Sequence, residues 1–169
     1  MGVNEFNIYF MKIFIRNATK KDAKNIFEWR NDSDSIAMSL SSKAITWDEH
    51  LKWYRSALKD DNIMITICEF ENRQNQEIGM VRFDFDPLKN RASISINLNP
   101  IARGKSTGQY CLRAAINFMQ KKNKNFKKIV ADIKKENIAS IKSFEKAGFY
   151  SSKINFENKV QYIYDLNDE

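Results

Sequence analysis

Two cysteines, one histidine and no apolar run long enough to cross a bilayer set the first limits on this 169-residue chain. Neither Cys68 nor Cys111 has the spacing of a metal site, and both fall in apolar-patterned segments. They read as reduced packing residues, which argues against a disulfide framework and against a bound metal. The opening MGVNEFNIYFMKIF has no charged segment leading into an apolar core and no small-residue cleavage site, so no signal peptide is expected. Residues 1–11 read as an N-terminal arm or an appended remnant, and the protein as cytoplasmic. No repeat, linker or low-complexity stretch interrupts residues 12–169, which are expected to form one domain able to bury its own core. No nucleic-acid module is recognisable. A net charge of +7 and the cluster KKNKNFKK at 121–128 would suit a polyanionic partner. Such runs are most often solvated faces, and neither nucleic acid nor a membrane is expected.

What the chain does have is an organising stretch, LNPIARGKSTGQYCLRAAINFM, from Leu98 to Met119. Ile94, Ile96 and Leu98 alternate with Ser93, Ser95 and Asn97 as in a half-buried strand, which Pro100 ends. Leu112, Ala115, Ile116 and Met119 then recur with helical spacing, so a helix begins near Ser106 to Gly108. Its first amides have no partner within the helix and its dipole is positive there, beside Arg103 and Lys105. That is a place for phosphate, with Gly104 and Gly108 giving the backbone close approach.

The remaining elements follow in order. A first strand covers Lys12 to Ala18, and a helix capped by Thr19 and Asp22 carries Ile26, Phe27 and Trp29 into the sequence WRND. The polar stretch SDSIAMSLSSKAI reads as a loop. Thr46 and Glu49 form a capping box that opens the next helix, whose stripe Trp47, Leu51, Tyr54 and Leu58 is expected in the core, with His50 and Trp53 beside it. Ile63 to Phe70, Glu77 to Asp86 and Arg91 to Leu98 read as an antiparallel meander. Met80, Arg82, Asp84 and Asp86 share one face of its middle strand. Beyond the core helix come a strand at Lys127 to Lys134, a helix from Asn137 to Ala147 stopped by Gly148, and a hairpin of Phe149 to Phe156 with Lys159 to Leu166. The sum is a mixed α/β (α+β) sheet of seven strands with helices on both faces and one parallel right-handed crossover.

Two stretches carry a family resemblance. Arg103, Gly104, Lys105, Ser106, Thr107, Gly108 resembles the acetyl-CoA loop of the GCN5-related N-acetyltransferase superfamily, with Ser106 where the first patterned glycine stands. IKKENIASIKSFEKAGF, from Ile133 to Phe149, resembles that superfamily's later motif. The resemblance implies a single such domain with its two central parallel strands splayed apart and acetyl-CoA as co-substrate. It implies that the loop residues Arg103, Gly104, Lys105, Ser106, Thr107 and Gly108 hold the diphosphate. Backbone groups at Asn97, Leu98 and Asn99 would pair with the pantetheine amides, and Asn137 and Ser140 would lie at its acetyl end. Phe144 occupies a position where many members carry a tyrosine that protonates the leaving thiolate; Tyr110 and Tyr150 are weak substitutes. The chemistry is attack of a neutral amine on a thioester, with a strand N–H near Leu98 for the oxyanion and His50 or Asp84 taking the proton through water.

WRND followed by ITWDEHLKWY, with MVRFDF, further resembles N-acetyltransferases of nucleotide-linked amino sugars in pseudaminic and related nonulosonic acid pathways. The resemblance implies a UDP-linked 4-amino-4,6-dideoxy sugar as acceptor. Trp29 and Trp53 would cover its rings, Arg30 and Arg82 its diphosphate, and Asn31 and His50 would face the pocket. The residues alone leave plainer readings open: Arg30 and Asn31 as helix-closing residues, Arg82 and Asp84 as a surface ion pair, His50 as a packed side chain. Two other functions also stay open, namely acetylation of ribosomal-protein-type N-termini and a non-catalytic acetyl-CoA-binding scaffold; a homodimer is compatible with each.

Overall fold

A computed structural model describes residues 12–70, 76–122, 126–154 and 156–166. The expected N-terminal arm, most of the turn at 71–76 and the middle of the basic cluster lie outside the described residues. The elements run β1 (Ile13–Asn17), α1 (Ala23–Asn31), α2 (Ser33–Met38), α3 (Trp47–Ala57), β2 (Ile63–Phe70), β3 (Glu77–Asp86), β4 (Arg91–Leu98), α4 (Thr107–Lys121), β5 (Lys128–Lys134), α5 (Ile138–Ala147), β6 (Tyr150–Ser151) and β7 (Lys159–Asp165). One seven-stranded sheet has the order β1-β2-β3-β4-β5-β7-β6. Among the described residues only β4 and β5 pair in parallel, joined across α4. Among the described residues no helix is long and apolar enough to cross a membrane.

Strand alternation sends each sheet face to its own core. Phe83, Phe85, Ala92 and Ile94 pack under Cys111, Leu112, Ala115 and Ile116 of α4 and Phe144 of α5. On the opposite face Ile65, Ile67 and Met80 meet Ile26 and Trp29 of α1 and Tyr54 and Ala57 of α3. Cys68 and Cys111 are fully buried. The hydrogen-bonded Cys111 side chain, together with burial, pushes the Cys68 thiol well up.

Arg16 on β1 fixes where α1 starts. Its guanidinium donates to Asp22 at 2.8 and 2.9 Å, to Glu69 at 2.7 Å and to Glu77 at 2.9 Å. Asp22 also closes the capping box with Thr19, and Tyr54 Oη donates to Thr19 O at 2.7 Å, bringing α3 to the same point. Burial opposes the Asp22 charge, but Arg16 and Thr19 outweigh it and hold the carboxyl below its ordinary value.

Three expectations are corrected. Ser33–Met38 is a short helix, because Asp32 caps it by accepting from Ser35 N at 3.3 Å. The buried face of α3 is His50, Tyr54 and Ala57, while Trp47 is exposed. Among the described residues the first arm of the last hairpin is strand at Tyr150–Ser151 alone; Lys153 takes a left-handed φ of 60°, which breaks the extended run.

Candidate active site

Pairing between β4 and β5 runs from Arg91 opposite Lys128 to Ser93 opposite Val130 and then ceases. Ile94–Leu98 and Ala131–Lys134 continue apart, so the sheet opens into a cleft at its centre, as the resemblance implies. The loop beyond β4 turns at Gly104, φ 73°, and again at Ser106, φ 57°, where α4 begins. Ser106 makes no side-chain cap, so the first N–H groups of α4 face outward without one. A Cβ on Gly104 would meet nothing within 4 Å, leaving that backbone open to a bulky ligand. The uncapped amides, the exposed Lys105 and the Ser106 hydroxyl make a cradle fitted to phosphate. Gly108 differs from expectation: a Cβ there would come 2.9 Å from Ser143 Oγ, so it serves the packing of α4 on α5. Thr107 Oγ1 is likewise committed, donating to Ala102 O at 2.8 Å.

A left-handed serine is strained where glycine would be at ease. Ser106→Gly is expected to raise stability by about 0.5–1 kcal/mol, read as a higher midpoint in urea melts. An unchanged or lower midpoint would remove strain at Ser106 from the account.

Arg103, expected at the phosphates, pairs with Asp32 and, at 3.6 Å, with Asp34. It also donates to Ser35 Oγ at 2.7 Å and Leu98 O at 3.3 Å. The Arg103 hydrogen bond holds the Asp32 carboxyl below its ordinary range. Lys134 at the end of β5 donates to Ala37 O at 2.8 Å and Ser42 Oγ at 3.0 Å, and Asn137 Nδ2 donates to Met38 O at 3.4 Å. The segment from Asp32 to Ser42 therefore crosses the mouth of the cleft, tied to the β4 side through Arg103 and to the β5 side through Lys134. Asp32, Ser35 and Lys134 were missed by sequence reading. Asp32 followed three residues later by Ser35 was the available signal of a capped turn.

The other expected residues divide. Trp53 and Arg82 are together, the guanidinium 4.9 Å from the indole centroid, and Arg82 Nε donates to Asp84 Oδ1 at 3.1 Å. Asp84 lies opposite Ser93, where the parting begins. Trp29 is buried under α1, and its exposure of 6% leaves little ring for a ligand. Asn31 brackets Ile45, donating to its O at 2.7 Å and accepting from its N at 2.9 Å. Arg30 donates to Ser39 Oγ, Ser41 Oγ and Lys43 O. Asn99 supports the turn after β4, donating to Glu77 O at 3.1 Å. Asn137 caps α5 through Ser140 N. Phe144 packs edge-on against Phe149, and Tyr150 donates to Asp165, which pushes its phenol up.

His50, expected as a base, lies in the core. It is 2% exposed, shares a hydrogen bond of 2.8 Å between Nε2 and Ala23 O and is stacked 5.6 Å from the Tyr54 ring. Since a carbonyl only accepts, Nε2 carries the proton. Burial lowers its pKa, outweighing the Ala23 bond. The fold thus favours neutral imidazole, and that contribution is present above the ordinary value near ~6.5 and lost as pH falls through the lower folded value. Stability should fall from about pH 6.5 downward by up to ~1.4 kcal/mol per pH unit, and His50→Gln should flatten that slope in pH-dependent urea melts. An equal slope in the variant would assign the proton elsewhere.

A mixed sheet parted at its middle, followed by a helix with bare N-terminal amides, defines a class of enzyme that takes an acyl group from a coenzyme A thioester. The sequence signature of the acetyltransferase (GNAT) domain matches residues 12–150, and the chain belongs to that family. An uncharacterised protein of Methanocaldococcus jannaschii is 28% identical over 158 residues, covering 92% of this chain and 31% of that protein. The chain thus spans about a third of that relative's length. A crystallised domain from the same archaeon superposes with a TM-score of 0.77 at 28% identity, covering 92% of this chain and 99% of that one. The aminoglycoside acetyltransferase AAC(6')-Ib with coenzyme A gives 0.73 at 20% identity over 91% and 95% of the two chains. Spermidine N-acetyltransferase of Vibrio cholerae, with CoA and spermine, gives 0.74 at 18% over 89% and 92%. At such identities these last two share the fold.

Proposed function

We propose that this domain transfers acetyl from acetyl-CoA to the amine of a nucleotide-linked amino sugar of the UDP-4-amino-4,6-dideoxy type, by direct attack in a ternary complex. The observation that carries this reading is the charge at the cleft mouth. Asp84 is paired with Arg82 and Asp132 with Lys159, while Asp32 and Asp34 share Arg103. Arg30 and Lys134, by contrast, bond neutral oxygens among the described residues. Positive charge answered by dipoles alone attracts a diphosphate and repels a polycation. That favours an anionic acceptor over the spermidine and aminoglycoside for which two of the neighbours are named. Trp53, held by Arg82, offers the ring face for a sugar or uracil.

In this reading the amides opening α4, with Lys105 and the Ser106 hydroxyl, take the coenzyme's phosphates. The parted strands take its pantetheine arm. A β4 N–H near Leu98 stabilises the oxyanion as nitrogen attacks and thiolate departs. Asp84 receives the amine proton through water, a task for which His50 is too deeply enclosed. The test is thiol release from acetyl-CoA with four acceptors in parallel: the UDP-amino sugar, an N-terminal ribosomal peptide, spermidine and kanamycin. Release dependent on the sugar supports the proposal. Release only with the peptide or the polycations, or none despite acetyl-CoA binding, overturns it.

A further inference from the structure

Lys134 and Lys159 stand directly opposite one another in the antiparallel pairing of β5 with β7. Residues so placed share a face, with Cβ atoms about 4.5–5.5 Å apart, and like charges at such positions repel. Asp132, two residues back on β5, answers one of them: it accepts from Lys159 Nζ at 2.6 Å and from Gln161 Nε2 at 3.0 Å. The Lys159 ammonium also lies 4.6 Å from the centre of the Phe156 ring. Lys134 pairs with no carboxylate among the described residues; it bonds Ala37 O and Ser42 Oγ of the segment that crosses the cleft mouth. Arg30 reaches the same turn through Ser39 and Ser41. An ammonium has three N–H groups, so each lysine keeps at least one uncommitted. Neither side chain is buried, and that of Lys159 is 27% exposed, so a ligand can reach it.

We infer that Lys134 and Lys159 are the diphosphate site of the acceptor, each ammonium taking one phosphoryl group of a nucleoside diphosphate. The inference rests on the acceptor proposed above and deepens it. Two opposed ammonium groups with one carboxylate between them repel in the empty protein, and a dianion bridging them removes that repulsion. Arg82, expected at the diphosphate, is committed to Asp84 and Trp53 instead. The spacing along the sheet agrees. Asp84 is level with Ser93, and Ser93 with Val130. Lys134 follows Val130 by four residues, which at the rise of a strand sets the lysines about 13 Å along β5 from the base. A bridging water, an amine on C4 and the pyranose ring leading to the anomeric phosphate occupy such a span. An amine on C2, beside the anomeric carbon, falls short of it.

The probe is UDP, titrated by calorimetry into the native chain and four variants saturated with coenzyme A, so that the coenzyme's own phosphate cradle is filled. Coenzyme A affinity is measured for each, folding is checked by circular dichroism, and thiol release with the UDP-4-amino-4,6-dideoxy sugar is measured for the native chain. Lys134→Gln and Lys159→Gln should each raise the Kd of UDP about 10-fold, and Lys159→Arg should hold it within about threefold. Asp132→Asn removes the competing carboxylate and should tighten UDP about threefold. Coenzyme A affinity should stay within about twofold throughout. UDP affinity that both Gln variants leave intact overturns this assignment alone. So does weaker UDP binding in Asp132→Asn, which would make the Asp132–Lys159 pair structural, and so does a matching loss of coenzyme A affinity, which would give the lysines to the coenzyme. Sugar turnover with no UDP binding likewise removes the site and spares the acceptor. Neither UDP binding nor sugar turnover overturns both readings together.

Discussion

Gly79→Ala is expected to destabilise the protein by about 2–3 kcal/mol, and Gly79→Val by enough to prevent folding at 37 °C. Gly79 on β3 lies opposite Leu98 in the antiparallel register. A Cβ there would stand 2.5 Å from Asn97 O and 2.8 Å from Leu98 Cα. Both are backbone atoms, so no side-chain rotation relieves the clash; the end of β4 itself must move. That end carries the cleft's opening residues, so whatever fraction of Gly79→Ala folds should also turn over poorly. Gly104→Ala is the control. Space at Gly104 is open and only its positive φ is penalised, a cost of about 1 kcal/mol. Urea melts of the two variants side by side decide the matter. A Gly79→Ala midpoint at or above that of Gly104→Ala would show that β4 yields easily, contrary to the register described.

The second large effect is on chemistry. Asp84→Asn should lower kcat about 100-fold with acetyl-CoA affinity unchanged. Asparagine keeps the shape of the side chain and an oxygen for Arg82, yet cannot take a proton from the amine. Asp84 stands on β3 opposite Ser93, and its side chain is 40% exposed, open enough for a bridging water. The enclosed His50 gives the opposite expectation, since His50→Gln should spare kcat while changing the pH dependence of stability. The measurement is the pH profile of kcat for both variants with the same acceptor. An Asp84→Asn enzyme with native kcat would leave proximity of amine and thioester as sufficient, and would withdraw the base assignment.

Much of this fold is written in local pattern. Ile63–Phe70, Glu77–Asp86 and Arg91–Leu98 begin and end where their alternation does, because turn residues flank each and both faces are decided by period. The capping boxes at Thr19 and Thr46 fix two helix starts for an equally local reason. What escaped was set by contacts distant in sequence. The stretch Ser33–Met38 has no apolar stripe and is held by Arg103, 71 residues away from Asp32, and by Lys134. Periodicity shows that α3 has an apolar side but not that His50 would go in and Trp47 stay out. That choice follows from the acceptor that Ala23 O offers to an imidazole N–H. The phosphate loop was legible as a loop. The destination of its arginine was not, because nothing near Arg103 in sequence announces Asp32.

A sheet opened at its centre has four free margins where an intact one has two. Beyond Ser93 and Val130 the margins of β4 and β5 face each other across the cleft rather than bonding, and an unpaired strand margin is a template for any extended chain that reaches it. The crossing segment from Asp32 to Ser42, pinned at both sides, stands over that template. A segment so placed covers margins that would otherwise be open to an extended chain. Substitutions that release it are expected to appear as lost soluble yield on expression before they appear in any rate.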